Sequence, residues 1–135
     1  MSFQFTTTAS QLRATLGRVR LASDTRKSAL DCLGWVRIHK HDTDSATFSC
    51  TDIEVILAEH IAVADCIGAG IACVPVKALV DALKGRTGTI ALHADIGQGA
   101  STLRVSGGGG FNVAIPLEDS ERFPEPPTFD PSAPV

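Results

Sequence analysis

Residues 45–64, SATFSCTDIEVILAEHIAVA, alternate apolar and polar side chains on either side of Cys50-Thr51-Asp52, and no other stretch restricts the fold as much. Ala46, Phe48 and Cys50 fall on one face, Thr47, Ser49 and Thr51 on the other. Past Asp52 the alternation resumes as Ile53, Val55, Leu57, Ile61 and Val63, broken only by Glu59, with Glu54 and His60 on the opposite face. A period of two over this length requires extended strands with one buried face. The β-branched residues of the second run favour a pleated surface further. The chain is therefore a sheet protein, and its helices must fit that sheet.

The remaining elements follow in order. Phe3 and Phe5 alternate with Gln4 and Thr6, a short first strand. Thr8-Ala9-Ser10-Gln11 reads as a capping box, and Leu12, Leu16 and Val19 predict a helix over residues 9–21 with one apolar stripe. Arg13 and Arg20 flank that stripe, while Ala14 and Gly17 leave an outward face that another body can approach closely. A polar connection over 22–29 holds Arg26 and Lys27. A strand over 30–39 then sets Cys32, Val36 and Ile38 on one face and Leu33, Trp35, Arg37 and His39 on the other. His41-Asp42-Thr43-Asp44 is its turn, and a polar turn explains these side chains without a metal ion.

Residues 65–70 read as a glycine-containing loop and 71–74 as a short strand. Pro75 is suited to open a helix, where its missing N–H costs nothing. Val76, Leu79, Val80 and Leu83 form the buried stripe of that helix, Lys77, Asp81 and Lys84 line one flank, and Gly85 ends it. Strands over 88–94, 101–106 and 111–117 follow, with Phe111, Val113 and Ile115 inward on the last. Gly107 to Gly110 is a hairpin turn, not a phosphate loop, because neither Lys-Ser nor a helix follows it. Residues 1–122 form one domain, and the acid- and proline-rich 123–135 form a linker or tail. The order is strand, helix, three strands, given twice. The expected fold is α+β: two βαβββ units with two helices on one face, backed by antiparallel sheets.

The net charge of −3 over 135 residues argues against a nucleic-acid partner until it is divided by position. In residues 8–27 and 75–86 together, eight basic residues face two acidic ones, a local balance of +6 that leaves −9 for the rest. A local positive field attracts phosphate even on an acidic body, although solvated flanks of two amphipathic helices have the same charge pattern. The four cysteines, Cys32, Cys50, Cys66 and Cys73, form no CxxC pair and read as small buried hydrophobes in a reducing cytoplasm, not as disulfides or metal ligands. The amino terminus, MSFQFTTT, has no signal-peptide pattern, and no run is long and apolar enough to span a membrane.

Several short stretches resemble one family. Cys50-Thr51-Asp52-Ile53-Glu54, Val74-Pro75 opening the second helix, Phe111-Asn112-Val113 and Phe123-Pro124 match, in order and spacing, the first domain of the bacterial DNA polymerase III beta subunit, the sliding clamp. The resemblance implies a non-catalytic, cofactor-free processivity domain. Such domains form a ring around duplex DNA, with helices lining the hole and sheets outside. It further implies that Arg26, after the first helix, and Lys77, inside the second, face DNA. Arg20 and Lys84 are added from their positions on the helix flanks. Phe111 and Val113 resemble the apolar positions of the subunit interface, although core packing explains alternation equally well. The implied partners are duplex DNA, contacted through phosphates without sequence preference, and other clamp domains or subunits. Polymerase and clamp loader would be met only through a longer chain or assembly. Clamp subunits carry three such domains where this sequence has one. Its Pro131-Ser132-Ala133-Pro134-Val135 end suits a linker onward, so a piece of a longer protein is the expectation.

Two other functions fit the residues. A single-domain interaction module could use the Phe111 edge to pair with a full clamp and modulate it. An enzyme could use Cys50 as nucleophile and His60 as base, but Cys50 is expected to point into the core, and nothing in its sequence surroundings lowers its pKa.

Overall fold

The computed structural model describes residues 2–22, 34–51, 55–96, 101–107, 110–118 and 123. Strand β1 (Ser2–Thr8) buries Phe3 and Phe5 and runs straight into helix α1 (Ala9–Val19). Thr8 caps that helix, its hydroxyl accepting from the Gln11 N–H at 3.1 Å. Only half of the expected capping box forms, because the Gln11 carboxamide oxygen accepts instead from the Thr7 hydroxyl, at 2.9 Å. Leu12, Leu16 and Val19 are buried, and a 3₁₀ turn over Arg20–Ala22 follows.

Strands β2 (Trp35–Lys40), β3 (Ser45–Thr51) and β4 (Ile56–Ala62) form an antiparallel meander. Ala46, Phe48 and Cys50 point into the core, as their alternation requires. On β2 both faces are covered. Val36 and Ile38 face the main core, while Trp35 packs with Cys73 and with Phe123, the residue at which the proline-rich tail was expected to begin. The residues expected to start this strand, 30–33, lie outside those described. Lys40 is buried at the end of β2. Its ammonium donates to the carbonyls of His41 and of Thr43, the latter at 2.8 Å, tying down the turn into β3.

Residues 65–70 are not the loop that their Asp and Gly suggest. Ala64–Gly68 is strand β5, antiparallel to β1, with Phe3 opposite Gly68 and Gln4 opposite Ile67. Gly and Asp weaken strands on average, but here their backbone is satisfied by β1, some sixty residues earlier, and local composition carries no record of that partner. Asp65 adopts φ 51°, and its carboxylate accepts from the Thr6 hydroxyl at 3.0 Å. Gly68 has φ +73°, and a Cβ there would stand 2.5 Å from the Ser2 carbonyl oxygen. Gly68→Ala is therefore expected to cost about 1–2 kcal/mol from its left-handed backbone alone, with the clash added. Urea denaturation measures the loss, and faster amide exchange confined to β5 and its β1 partners identifies its origin.

Strand β6 (Gly70–Pro75) leads into helix α2 (Val76–Leu83), and β7 (Thr89–Asp95), β8 (Thr102–Gly107) and β9 (Asn112–Pro116) are the last of the described elements. Gly85, at φ +72°, follows α2 where a helix C-terminus favours glycine. The sheets are β4-β3-β2-β6 and β5-β1-β7-β8-β9. The two units are thus interlocked: β1 of the first pairs with β7 of the second, and β6 of the second pairs with β2 of the first. Apart from the added β5, the twofold βαβββ order expected from the sequence is the order observed. One continuous core, from Phe3 to Ile115, lies beneath both helices and between the sheets.

Glu59, which interrupts the apolar alternation, sits on the helix side of β4 and accepts from the Arg18 guanidinium through two contacts, one of them at 2.6 Å. This pairing holds the Glu59 carboxyl below its ordinary value. The break in the pattern is where α1 is fastened to an edge strand.

Candidate nucleic-acid interface

Helices α1 and α2 lie side by side, joined by Arg13, whose guanidinium donates to the carbonyls of Leu83, at 3.1 Å, and of Arg86. The Leu83 carbonyl ends α2 and also accepts from the Arg86 N–H at 3.1 Å, and the Arg86 carbonyl lies three residues past the helix, so the arginine ties down the end of α2 from the neighbouring helix. Arg13, although exposed, thereby has its guanidinium engaged by the end of α2, and Arg18 is paired with Glu59. Counting bases along the sequence overstates how many are available to a ligand, since Arg13 and Arg18 already have partners within the protein.

Three predicted residues are brought together. Arg20 stands at the end of α1, Lys77 in the first turn of α2 and Lys84 just past its last turn; with Val76, Val80 and Asp81 they line a cleft of about 440 Å³. Lys77 and Lys84, seven residues apart, share a face of α2 because two helical turns separate them. Val80, expected in the buried stripe, is half exposed and forms part of the cleft wall. Lys84 pairs with Asp81 at 3.1 Å, with both side chains largely exposed, so water screens the contact. Three cations against one carboxylate leave the cleft positive. Arg26, the fourth predicted residue, lies outside those described.

Phe111, just before β9, and Val113, on it, do not line this cleft. Strand β9 is one of the two edges of the five-stranded sheet, and both side chains are half buried against the core. The Arg86 guanidinium lies 4.2 Å from the Phe111 ring centroid, a cation–π contact. Gly107 permits the ring's close approach, because a Cβ there would stand 2.7 Å from it. Nothing in the local sequence pairs Arg86 with Phe111; the β8–β9 hairpin does.

Cys50 and His60 are not brought together. Cys50 faces the core, while His60 is exposed on the outer face of the same sheet, in register with Thr47. Burial pushes the Cys50 thiol up to about 12, against a smaller opposing pull from Arg20. At pH 8 only about one thiol in ten thousand is then ionised. Cys50 is expected to resist a disulfide reagent until denaturant is added, and prompt labelling of the folded protein would contradict its buried position. Among the described residues, no three His, Cys, Asp or Glu side chains are placed to hold a metal ion, and no helix is long and apolar enough to cross a membrane.

The fold has clear structural relatives. It superimposes on the Helicobacter pylori beta clamp with a TM-score of 0.79 and 16% identity, covering 95% of this chain and 33% of that one. The Pseudomonas aeruginosa DNA polymerase III subunit beta gives 0.77 and 21%, over 93% and 33%. The Caulobacter crescentus beta sliding clamp gives 0.78 and 16%, over 94% and 33%. The chain has the fold of a sliding-clamp domain. It spans about a third of the length of the clamps it matches. No protein-family model matches the sequence, nor does any curated protein.

Proposed function

We propose that this chain is a non-catalytic, cytoplasmic clamp domain of DNA replication, contributing one segment of a ring around duplex DNA and so tethering a polymerase. The observation that carries the proposal is the cleft in which Arg20, Lys77 and Lys84 converge on the paired helices of a clamp fold. A sliding contact must be phosphate-directed, weak and blind to sequence, and a few cations on an acidic body meet that need. Arg26, in the connection after α1, would extend the same surface. Phe111, just before β9, and Val113, on it, would join the next domain, since β9 has one strand partner among the described residues and an edge with half-buried apolar side chains favours pairing. One clamp relative, from Helicobacter pylori, is bound to a DNA ligase peptide. Peptide partners of that kind, polymerase and loader included, would reach this domain through the rest of an assembly.

Sedimentation over a wide concentration range tests the ring. Association into a closed oligomer that Phe111→Ser with Val113→Ser abolishes supports self-assembly. A monomer at all concentrations assigns the ring to a longer protein. The β9 edge, with one strand partner among the described residues, also supports a second reading, a module that pairs with a full clamp; binding to a clamp without any DNA association would favour it. On the DNA side, Arg26→Ala with Lys77→Ala is expected to weaken association with a long duplex at low salt while leaving the denaturation midpoint in place. Unchanged affinity would refute the assigned face.

A further inference from the structure

On the outer face of the four-stranded sheet, remote from the cleft, the register sets His39, Thr47 and His60 in one row across β2, β3 and β4. His41, two residues beyond His39, turns to the same face. Its ring centroid lies 4.1 Å from that of His39 and 5.0 Å from that of His60. The Thr47 hydroxyl oxygen is 2.7 Å from His41 Nε2 and 2.7 Å from His60 Nδ1. Neither the fold nor the proposed DNA contact needs three imidazoles here.

We propose that His39, His41 and His60, gathered around the Thr47 hydroxyl, form a proton-sensitive clasp that releases the edge strand β4 when the medium acidifies. A hydroxyl carries one hydrogen, so Thr47 donates to one ring and accepts from the other, which suits neutral imidazoles. Protonating both rings turns both into donors, which leaves the Thr47 hydroxyl hydrogen without its ring acceptor, and sets like charges about 5 Å apart. Arg37 and Lys40 add positive charge at the cluster, and the Asp42 carboxylate opposes it. From β6, the residue opposite His39 is Ile71, which does not titrate. Burial, and then the neighbouring imidazole, hold both His39 and His41 below the ordinary histidine value.

The sign follows. With folded-state values depressed, the unfolded or opened segment binds more protons, so the clasp's contribution is whole above the ordinary value of about 6.5 and declines as pH falls below it. On the helix side of β4, Glu59 stays ionised and bound to Arg18 through the same range, because its carboxyl is held low. Acid therefore acts on one face of β4 only. Among the described residues that strand pairs with β3 alone, at the edge of its sheet, so it can open without the rest.

Amide exchange at pH 5.5 and 7.5, each referenced to unstructured peptide rates, tests this on the full chain. The expected result is about a tenfold or greater drop in protection of β4 amides at the lower pH, the equivalent of one pK unit, with β8 amides unaffected. His41→Gln with His60→Gln should abolish the dependence. Equal β4 protection at both pH values, or a dependence that survives in the variant, overturns the proposal. Should the variant not fold, ring-proton titration of the wild-type protein decides. Titrations of His39 and His41 that depart from one-site curves support coupling, and one-site curves for both refute it.

Discussion

Phe48→Ala is expected to destabilise the protein by about 3–5 kcal/mol, the usual cost of emptying a buried phenyl site. Phe48 is fully buried on β3, in the four-stranded sheet, and its ring meets Phe5 edge to face at 6.3 Å. Phe5 belongs to β1, in the five-stranded sheet, and stacks on Phe3 at 6.2 Å. The phenyl at position 48 thus links the two sheets, and neither can relax into the void without breaking the register that interlocks the units. A domain of this size is stable by about 5–15 kcal/mol, so much of the folded population's margin would go. The check is a urea denaturation midpoint, with Val55→Ala as control. Val55 is 49% exposed, and its loss should fall within about 0.5 kcal/mol. A cost under about 1 kcal/mol for Phe48→Ala would mean that the sheets do not share one core.

Removing all three cations of the cleft should have the largest effect on DNA. Each phosphate contact contributes about 0.9 to the slope of log affinity against log salt. Arg20→Ala, Lys77→Ala and Lys84→Ala together should therefore flatten that slope by about 2.7 and, at 0.1 M salt, lower affinity on the order of several hundredfold. Asp81→Asn should act in the opposite direction, since it frees Lys84 from its exposed ion pair and removes the cleft's one carboxylate. The readout is salt-dependent association with a long duplex, with stability measured alongside. A triple variant that keeps the wild-type slope would move the DNA contact elsewhere and take the proposed function's main support with it.

Much of this molecule is legible residue by residue. The alternation of Ala46, Phe48 and Cys50 states which face of β3 is buried, because neighbouring side chains on a strand must point oppositely. Thr8 and Gly85 mark helix ends for local reasons, a hydroxyl beside unpaired N–H groups and a residue free to adopt positive φ. The spacing of Lys77 and Lys84 puts them on one helix face before any tertiary contact forms. These features depend on backbone geometry within a few residues, so sequence suffices.

What the sequence could not show depends on partners far along the chain. Strand β5 looks like a loop because the strand that completes it, β1, lies at the other end of the unit. Arg13 and Arg18 look like members of a basic face until the end of α2 and Glu59 take them up. Glu59 reads as a flaw in a strand until α1 lies over it, and His60 joins His39 and His41 only through the register of three strands. Local sequence thus determined the elements, their buried faces and the order in which they repeat. The tertiary structure decided which charges remain available to a ligand and which side chains meet, because chain closure over tens of residues brings groups together by register and packing, and neither is written in any short stretch.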